Sequence, residues 1–251
     1  MKHVFSNDGK AALKAVMTRR PLLAFDFDGT LAPLVPNPQD AQVPQSVQRR
    51  LAGLAARVPV AVITGRAAAD ARARLEFAPC RVIGNHGAEG FEDLPSAAYR
   101  AAMDGLRALL GAAHADVREH GLMIEDKAYS IALHYRMARD RDAALAFVRA
   151  LVKRLPAPLV VSYGKLVVNF TAPEAPHKGD ALRRLVAEHA CEAAVFIGDD
   201  DNDEPAFASA APDWLTVRIG KHSPASRAMF FLDDHAQMAM LLQDMADALP
   251  P

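Results

Sequence analysis

A set of short apolar runs that stop abruptly constrains this chain more than any other feature. Residues 21–27 (PLLAFDF), 58–63 (VPVAVI), 81–83 (RVI) and 193–197 (AAVFI) are too short and too apolar for solvent-facing helices, and their apolar stretches give way to an acidic residue, Gly or Thr. Ala-, Leu- and Arg-rich segments with helical periodicity follow, which is the alternation of a parallel sheet covered by helices. Helices are expected over residues 67–75 and 179–190, the second with Leu182, Leu185, Val186 and His189 on one face. Thr64 and Lys178 then fall near helix N-termini, where backbone N–H groups and the dipole favour anions.

The middle of the chain has another rhythm. A helix over residues 97–110 is followed by residues 117–119, 122–124 and 129–135 (YSIALHY), whose alternation predicts antiparallel strands covered on one face. A second helix, about residues 141–155, precedes strands at 159–162 and 166–170 (LVVNF), joined by the turn Tyr163-Gly164-Lys165. The expected class is therefore α/β. A Rossmann-like parallel-sheet core in two pieces, residues 1–97 and 173–251, holds a smaller inserted α+β unit, residues 98–172. The Pro-rich residues 172–177 (APEAPH) serve as the return linker, because Pro cannot continue a strand ladder.

Composition narrows the roles. With 51% hydrophobic and 24% charged residues the chain is ordinary globular protein. Its 29 Lys and Arg against 30 Asp and Glu, with no long basic run, leave no electrostatic footprint for nucleic acid, which is not expected as a partner. No apolar run approaches the roughly 20 residues of a membrane span, and MKHVFSNDGK lacks the apolar centre of a signal peptide. A cytoplasmic location without a membrane partner is expected. Cys80 and Cys191 match no metal spacing and read as buried free thiols.

Four constellations could carry chemistry. Asp26 and Asp28, in DFDGTL, follow the first apolar strand, where open α/β sheets bind ligands; the alternative is a turn at Asp28-Gly29 with Asp26 as a cap. Two carboxylates desolvated together are costly without a cation or a shared proton. Residues 198–204 (GDDDNDE) place five acids in six positions after another apolar strand. Their oxygen-only donors suit Mg²⁺ or Ca²⁺ over zinc, and the loop lacks the sixth-position Gly of an EF-hand; a solvated acidic loop is the alternative. Thr64 in ITGR and Lys178 in HKGDAL are donors a phosphoryl group needs, although Thr is also a common cap and most Lys are merely solvated.

In this order, DFDGTL, ITGR, HKGDAL and GDDDNDE resemble the four motifs of the haloacid dehalogenase (HAD) superfamily of phosphatases. Over roughly residues 20–235 the chain is further similar to the trehalose-6-phosphate phosphatases, through IGNHGAE, the stretch from Glu125 to Arg136, and YGKLVVNF. The resemblance implies Asp26 as nucleophile, Asp28 as general acid and base, and Thr64 and Lys178 as phosphoryl ligands. It implies Mg²⁺ held by Asp26, Asp199 and the Asp28 carbonyl, supported by Asp203, with Asp200 a further candidate. Gly65, Arg66, Asn85, His86, Gly87 and Glu89 would face the substrate from the core, and Glu125, Lys127 and Asn169 from a cap domain, the inserted unit. His134 alternates with apolar positions and reads as a satisfied buried histidine. The implied partner is a small sugar phosphate bound by a monomer, with association with a trehalose-6-phosphate synthase left open.

At Asn169 the family usually carries a Glu, followed two residues on by a base where this chain has Thr171. Asn is shorter and neutral, so the sugar could differ: a glucosylglycerol, mannosylglycerate or sucrose phosphate. A phospho-accepting or sugar-phosphate-binding module without turnover is the remaining alternative, which the second carboxylate Asp28 and the insertion oppose.

Overall fold

A computed structural model describes residues 1–91, 96–127, 129–155, 157–164, 166–173, 175–220 and 223–250. The chain divides into two compact units, Met1–Gly90 with Pro176–Pro251, and Phe91–Ala175. In chain order the strands are β1 (Lys2–His3), β2 (Pro21–Phe25), β3 (Val60–Ile63), β4 (Arg81–Ile83), β5 (Met123–Asp126), β6 (Ile131–His134), β7 (Val160–Gly164), β8 (Val167–Thr171), β9 (Ala193–Gly198), β10 (Leu215–Ile219) and β11 (Phe230–Leu232). The helices are α1 (Asn7–Met17), α2 (Gln45–Ala55), α3 (Ala68–Ala73), α4 (Ala97–Ala112), α5 (His114–Glu119), α6 (Arg141–Val152), α7 (Lys178–Glu188), α8 (Glu204–Ser209) and α9 (Met238–Ala248). None of the described helices is long and apolar enough to cross a membrane.

The first unit is built on a parallel sheet in the order β1-β11-β10-β9-β2-β3-β4. Every residue of β2, β3 and β9 is buried. Alternate side chains serve opposite faces. Leu23, Phe25, Val60, Val62, Val195 and Ile197 join a core with Leu13 of α1, Leu51 of α2 and Leu241 of α9. The interleaved Leu22, Ala24, Ala61, Ile63, Ala194 and Phe196 are equally buried, and α7 packs on β2, β3 and β9. Phe196 meets Phe207 of α8 edge-on at 5.6 Å. Burying a large apolar side chain is worth about 1.5–3 kcal/mol, so both faces contribute and the strands carry no polar alternation. From β2 the chain proceeds outward to β3 and β4 on one side and later to β9, β10 and β11 on the other. The order in which strands are added therefore reverses between the parallel neighbours β2 and β9, and the carboxyl ends of such a pair open onto the crevice where α/β sheets bind ligands.

The second unit has the antiparallel sheet β5-β6-β8-β7. Ile131, Leu133, Val168 and Phe170 point to one face and form a core with Met103, Leu106 and Leu110 of α4 and Val148 and Leu151 of α6. Residues 117–119, read from sequence as extended, are the last turn of α5. Met103, Leu106, Leu110, Ala113 and Val117 share that core at spacings of three and four, so the apolar stripe of α4 runs on into the next helix. Ser96 caps α4 and Asp140 caps α6, each accepting a backbone N–H three residues on (3.0 and 2.9 Å). In the turn between β7 and β8, Leu166 has φ +64° while Lys165 lies outside the described residues, as does Glu174 of the linker. The thiols are less enclosed than expected, Cys80 being exposed and Cys191 half-buried.

Candidate active site

Asp26 follows β2 directly, its N–H donating to the Ile197 carbonyl of β9 at 2.9 Å, so the strand pairing continues to the carboxylate itself. Lys178, the first residue of α7, is aimed into the same place because His177 and Asp180 close a capping box around the start of that helix. Its Nζ donates to Asp26 Oδ1 and Asp203 Oδ1, both at 2.7 Å, with all three side chains buried. The other oxygen of Asp203 accepts the N–H groups of Asp199 and Asp200 at 2.9 and 3.1 Å. Two glycines let the loops approach. A β-carbon at Gly29, which has φ +83°, would stand 2.1 Å from Asp199 Oδ2, and one at Gly198 would stand 2.3 Å from Asp203 Cγ.

Asp26, Asp199 and Asp203 each offer an oxygen within 4.8 Å of the others. Burial holds the Asp26 carboxyl well above its usual range; Lys178 opposes this and Asp203 and Asp199 add to it. Burial, then Asp203 and Asp200, raise Asp199 to about 7, and burial raises Asp203 too. Burial would lower Lys178, but Asp203 and Asp26 outweigh it and hold the ammonium above its normal range. Three crowded carboxylates facing one ammonium leave an excess of negative charge that a hard divalent cation with oxygen ligands complements. The donor set thus fits such an ion.

A prediction follows from the raised carboxyls. A carboxyl raised in the folded state holds its proton better there than in the unfolded chain, so its stabilising contribution is complete at acid pH and is lost as pH climbs through about 7 for Asp199. Chelated protein should therefore lose melting temperature between pH 5 and 8, and added Mg²⁺ should raise it more at pH 8 than at pH 5. Equal Mg²⁺ shifts at both pH values would contradict the cluster as the ion's seat.

The other expected residues of the first unit lie on the loops that follow β2, β3, β4 and β9. Thr64 directly follows β3, the neighbour of β2; its buried Oγ1 accepts the Arg66 N–H at 3.1 Å, and its carbonyl accepts the His86 N–H at 2.9 Å. Asp28 does not turn its carboxylate to the acid cluster. Arg66 grips it through Nε and Nη2, both at 2.6 Å, and is itself held by Asp70, the Pro38 carbonyl and the ring of Phe27 at 5.0 Å. That bidentate fork is a pairing the sequence did not reveal. His86 and Asn85 lie in the left-handed region, and a β-carbon at Gly65 would touch the His86 ring at 2.4 Å, so this loop rests on the ITGR turn. Gly87, at φ +121°, passes against the His177 carbonyl. Glu89 Oε2 accepts the Ala68 N–H at the start of α3 (2.9 Å) and the Asn85 amide (2.7 Å), which orients Asn85. Asp200 is exposed and its carboxylate is engaged by Asn202, outside the three-acid cluster.

In the second unit, Glu125, Ala132, Asn169 and Ser162 lie in one cross-strand row, on the sheet face opposite the helices. Glu125 Oε2 meets His134 Nε2 at 2.8 Å and Lys127 Nζ at 3.6 Å, and the His134 contact, with help from Lys127, holds its carboxyl below the usual range. His134 is half-exposed beside an acid, which corrects the expectation of a buried histidine: its neighbours in sequence are apolar because they face the helices.

A parallel sheet with paired carboxylates at this point of reversal has the HAD-superfamily fold, which solved members of that superfamily share. The chain belongs to the trehalose-phosphatase family, whose model matches residues 24–235. It is 31% identical over 245 residues to the trehalose-phosphate phosphatase of Mycobacterium marinum (strain ATCC BAA-535 / M), covering 92% of this chain and 62% of that one. It is 37% identical over 253 residues to an uncharacterized glycosyl hydrolase of Mycobacterium tuberculosis (strain ATCC 25618 / H37Rv), covering 93% of this chain and 19% of that one. The chain thus spans about a fifth to three fifths of these curated relatives. The solved C-terminal domain of C. albicans trehalose-6-phosphate phosphatase has a similar fold, with a TM-score of 0.75 at 21% identity over 96% of this chain and 98% of that one.

Proposed function

We propose that this chain is a Mg²⁺-dependent phosphatase that hydrolyses trehalose 6-phosphate to trehalose and inorganic phosphate by way of phosphorylated Asp26. The observation that carries the reading is the buried Asp26–Lys178–Asp203 chain at the reversal of the sheet, with Asp28 two residues from the nucleophile. An Asp26 oxygen attacks phosphorus as the bond to the sugar oxygen breaks, and Asp28 delivers a proton to that oxygen. Water then attacks the phosphorylated aspartate, Asp28 takes its proton, and the bond from phosphorus to Asp26 breaks to free phosphate. Lys178 and Thr64 hold the phosphoryl oxygens in line. Mg²⁺ on Asp26, Asp199 and Asp203 would offset charge on the phosphoryl group. Arg66 occupies both oxygens of the Asp28 carboxylate, so Asp28 leaves this fork when it turns to the leaving oxygen.

The inserted unit, expected over residues 98–172, is in this reading the cap that recognises the sugar, through Glu125, Lys127 and Asn169, while Asn85, His86, Gly87 and Glu89 serve from the core. The same reading makes the protein a cytoplasmic monomer whose partner is the sugar phosphate. Asn169, in one row with Glu125, supports a second reading in which another glycosyl phosphate is the substrate.

Phosphate release with Mg²⁺ from trehalose 6-phosphate, sucrose 6-phosphate, glucose 6-phosphate and glucosylglycerol phosphate tests the proposal. A kcat/KM for trehalose 6-phosphate about a hundredfold above the rest is expected. Preference for another member would move the substrate and leave the chemistry; no release from any would sink the phosphatase reading. Glu125→Gln is expected to raise KM for the sugar phosphate roughly tenfold while leaving p-nitrophenyl phosphate nearly untouched. Equal effects on both would remove Glu125 from sugar recognition.

A further inference from the structure

The acidic loop after β9 is gripped from two sides. On one side Lys178 binds Asp203, whose other oxygen gathers the Asp199 and Asp200 N–H groups. On the other stands Arg218 of β10, paired in register with Gly198, its side chain 15% exposed. Its Nη1 donates to Glu204 Oε1 at 2.6 Å and to the Asp200 carbonyl at 3.4 Å, and its Nη2 donates to Asp201 Oδ1 at 3.3 Å. Glu204 is fixed in turn, its second oxygen accepting the Arg227 N–H at 2.7 Å. One guanidinium therefore ties the loop before, within and after its 3₁₀ turn, Asp201–Asp203. Residues 199–204 hold five acids, which would splay apart without such a counter-charge.

We propose that Arg218, with Glu204, is a positioning residue that sets the spacing of Asp199 and Asp203 and thereby the affinity of the site for a divalent cation. The inference rests on the metal-dependent reading above and adds to it a residue outside the motifs. Arg218 acts at a distance from the cation. It holds the backbone between two ligands four residues apart, and a planar fork does this where a single ammonium reaches fewer acceptors at once. Groups that orient metal ligands in this way typically change affinity by about 10- to 100-fold when removed.

The test uses Mn²⁺ as probe, its binding followed by the loss of the free-ion paramagnetic resonance signal in the full chain, its R218K, R218M and E204Q variants. R218M is expected to raise the Mn²⁺ Kd about tenfold or more, R218K to recover part of the loss, and E204Q to fall between wild type and R218M. The Mn²⁺ concentration for half-maximal turnover should rise in step. A lower melting temperature for R218M with a wild-type Kd would mean that Arg218 is only structural and would overturn the proposal. Should R218M not fold, R218K decides: a raised Kd supports the proposal and a wild-type Kd overturns it. Failure of the wild-type chain to bind Mn²⁺ would overturn the metal-dependent reading itself and this inference with it, whereas wild-type binding with unaltered variants overturns this inference alone.

Discussion

Asp26→Asn is expected to lower kcat by roughly 10³-fold or more while leaving the protein as stable as before or more so. The amide has nearly the shape of the carboxylate but cannot carry the phosphoryl group. Asp26 is one of three carboxylates whose ionisation burial and mutual repulsion oppose, so removing its charge relieves the other two. Lys178 keeps Asp203 as partner, so no buried charge is stranded. Steady-state turnover and thermal melts in EDTA at pH 8 measure the two halves. Retention of more than about 5% of wild-type kcat would remove Asp26 as nucleophile, and a markedly lower melting temperature would mean that its charge is structural.

Lys178→Met should do the opposite to stability while also abolishing turnover. The ammonium is 2% exposed and lies 2.7 Å from two carboxylates. Removing one partner of a buried ion pair costs about 3–5 kcal/mol, because the remaining charge is left without compensation. The loss should be largest at pH 8 and smaller at pH 5, where protons take the place of the lysine on the raised carboxyls. Adding Asp26→Asn to Lys178→Met should restore part of the stability, a non-additivity expected of groups in one cluster. A Lys178→Met protein that melts like wild type at pH 8 would show that Lys178 does not carry this charge.

Legibility in the sequence followed physical reach. β2, β3 and β9 stood out because both faces are buried and their apolar runs end at Asp26, Thr64 and Gly198. β10 did not, since Thr216 and Arg218 interrupt its apolar residues. Val117 misled because a stripe spaced for a helix, seen three residues at a time, resembles alternation. Lys178 was legible as a helix start, yet its dual contact with Asp26 and Asp203, across 152 and 25 residues, is a product of the fold. Arg66 on Asp28 and Arg218 on the acidic loop likewise join side chains from different elements. Glu89 is the clearest case of a motif residue whose contacts no spacing rule conveys: its carboxylate serves the start of α3 and Asn85.

The most direct test of the central claim is to quench the enzyme in acid during turnover of trehalose 6-phosphate with Mg²⁺ and weigh the peptide that contains Asp26. A transient gain of one phosphoryl group on that peptide, appearing before free phosphate and absent in Asp26→Asn, is the expected result. Phosphate release without any label on Asp26 at any quench time, or label that persists in Asp26→Asn, would contradict the account.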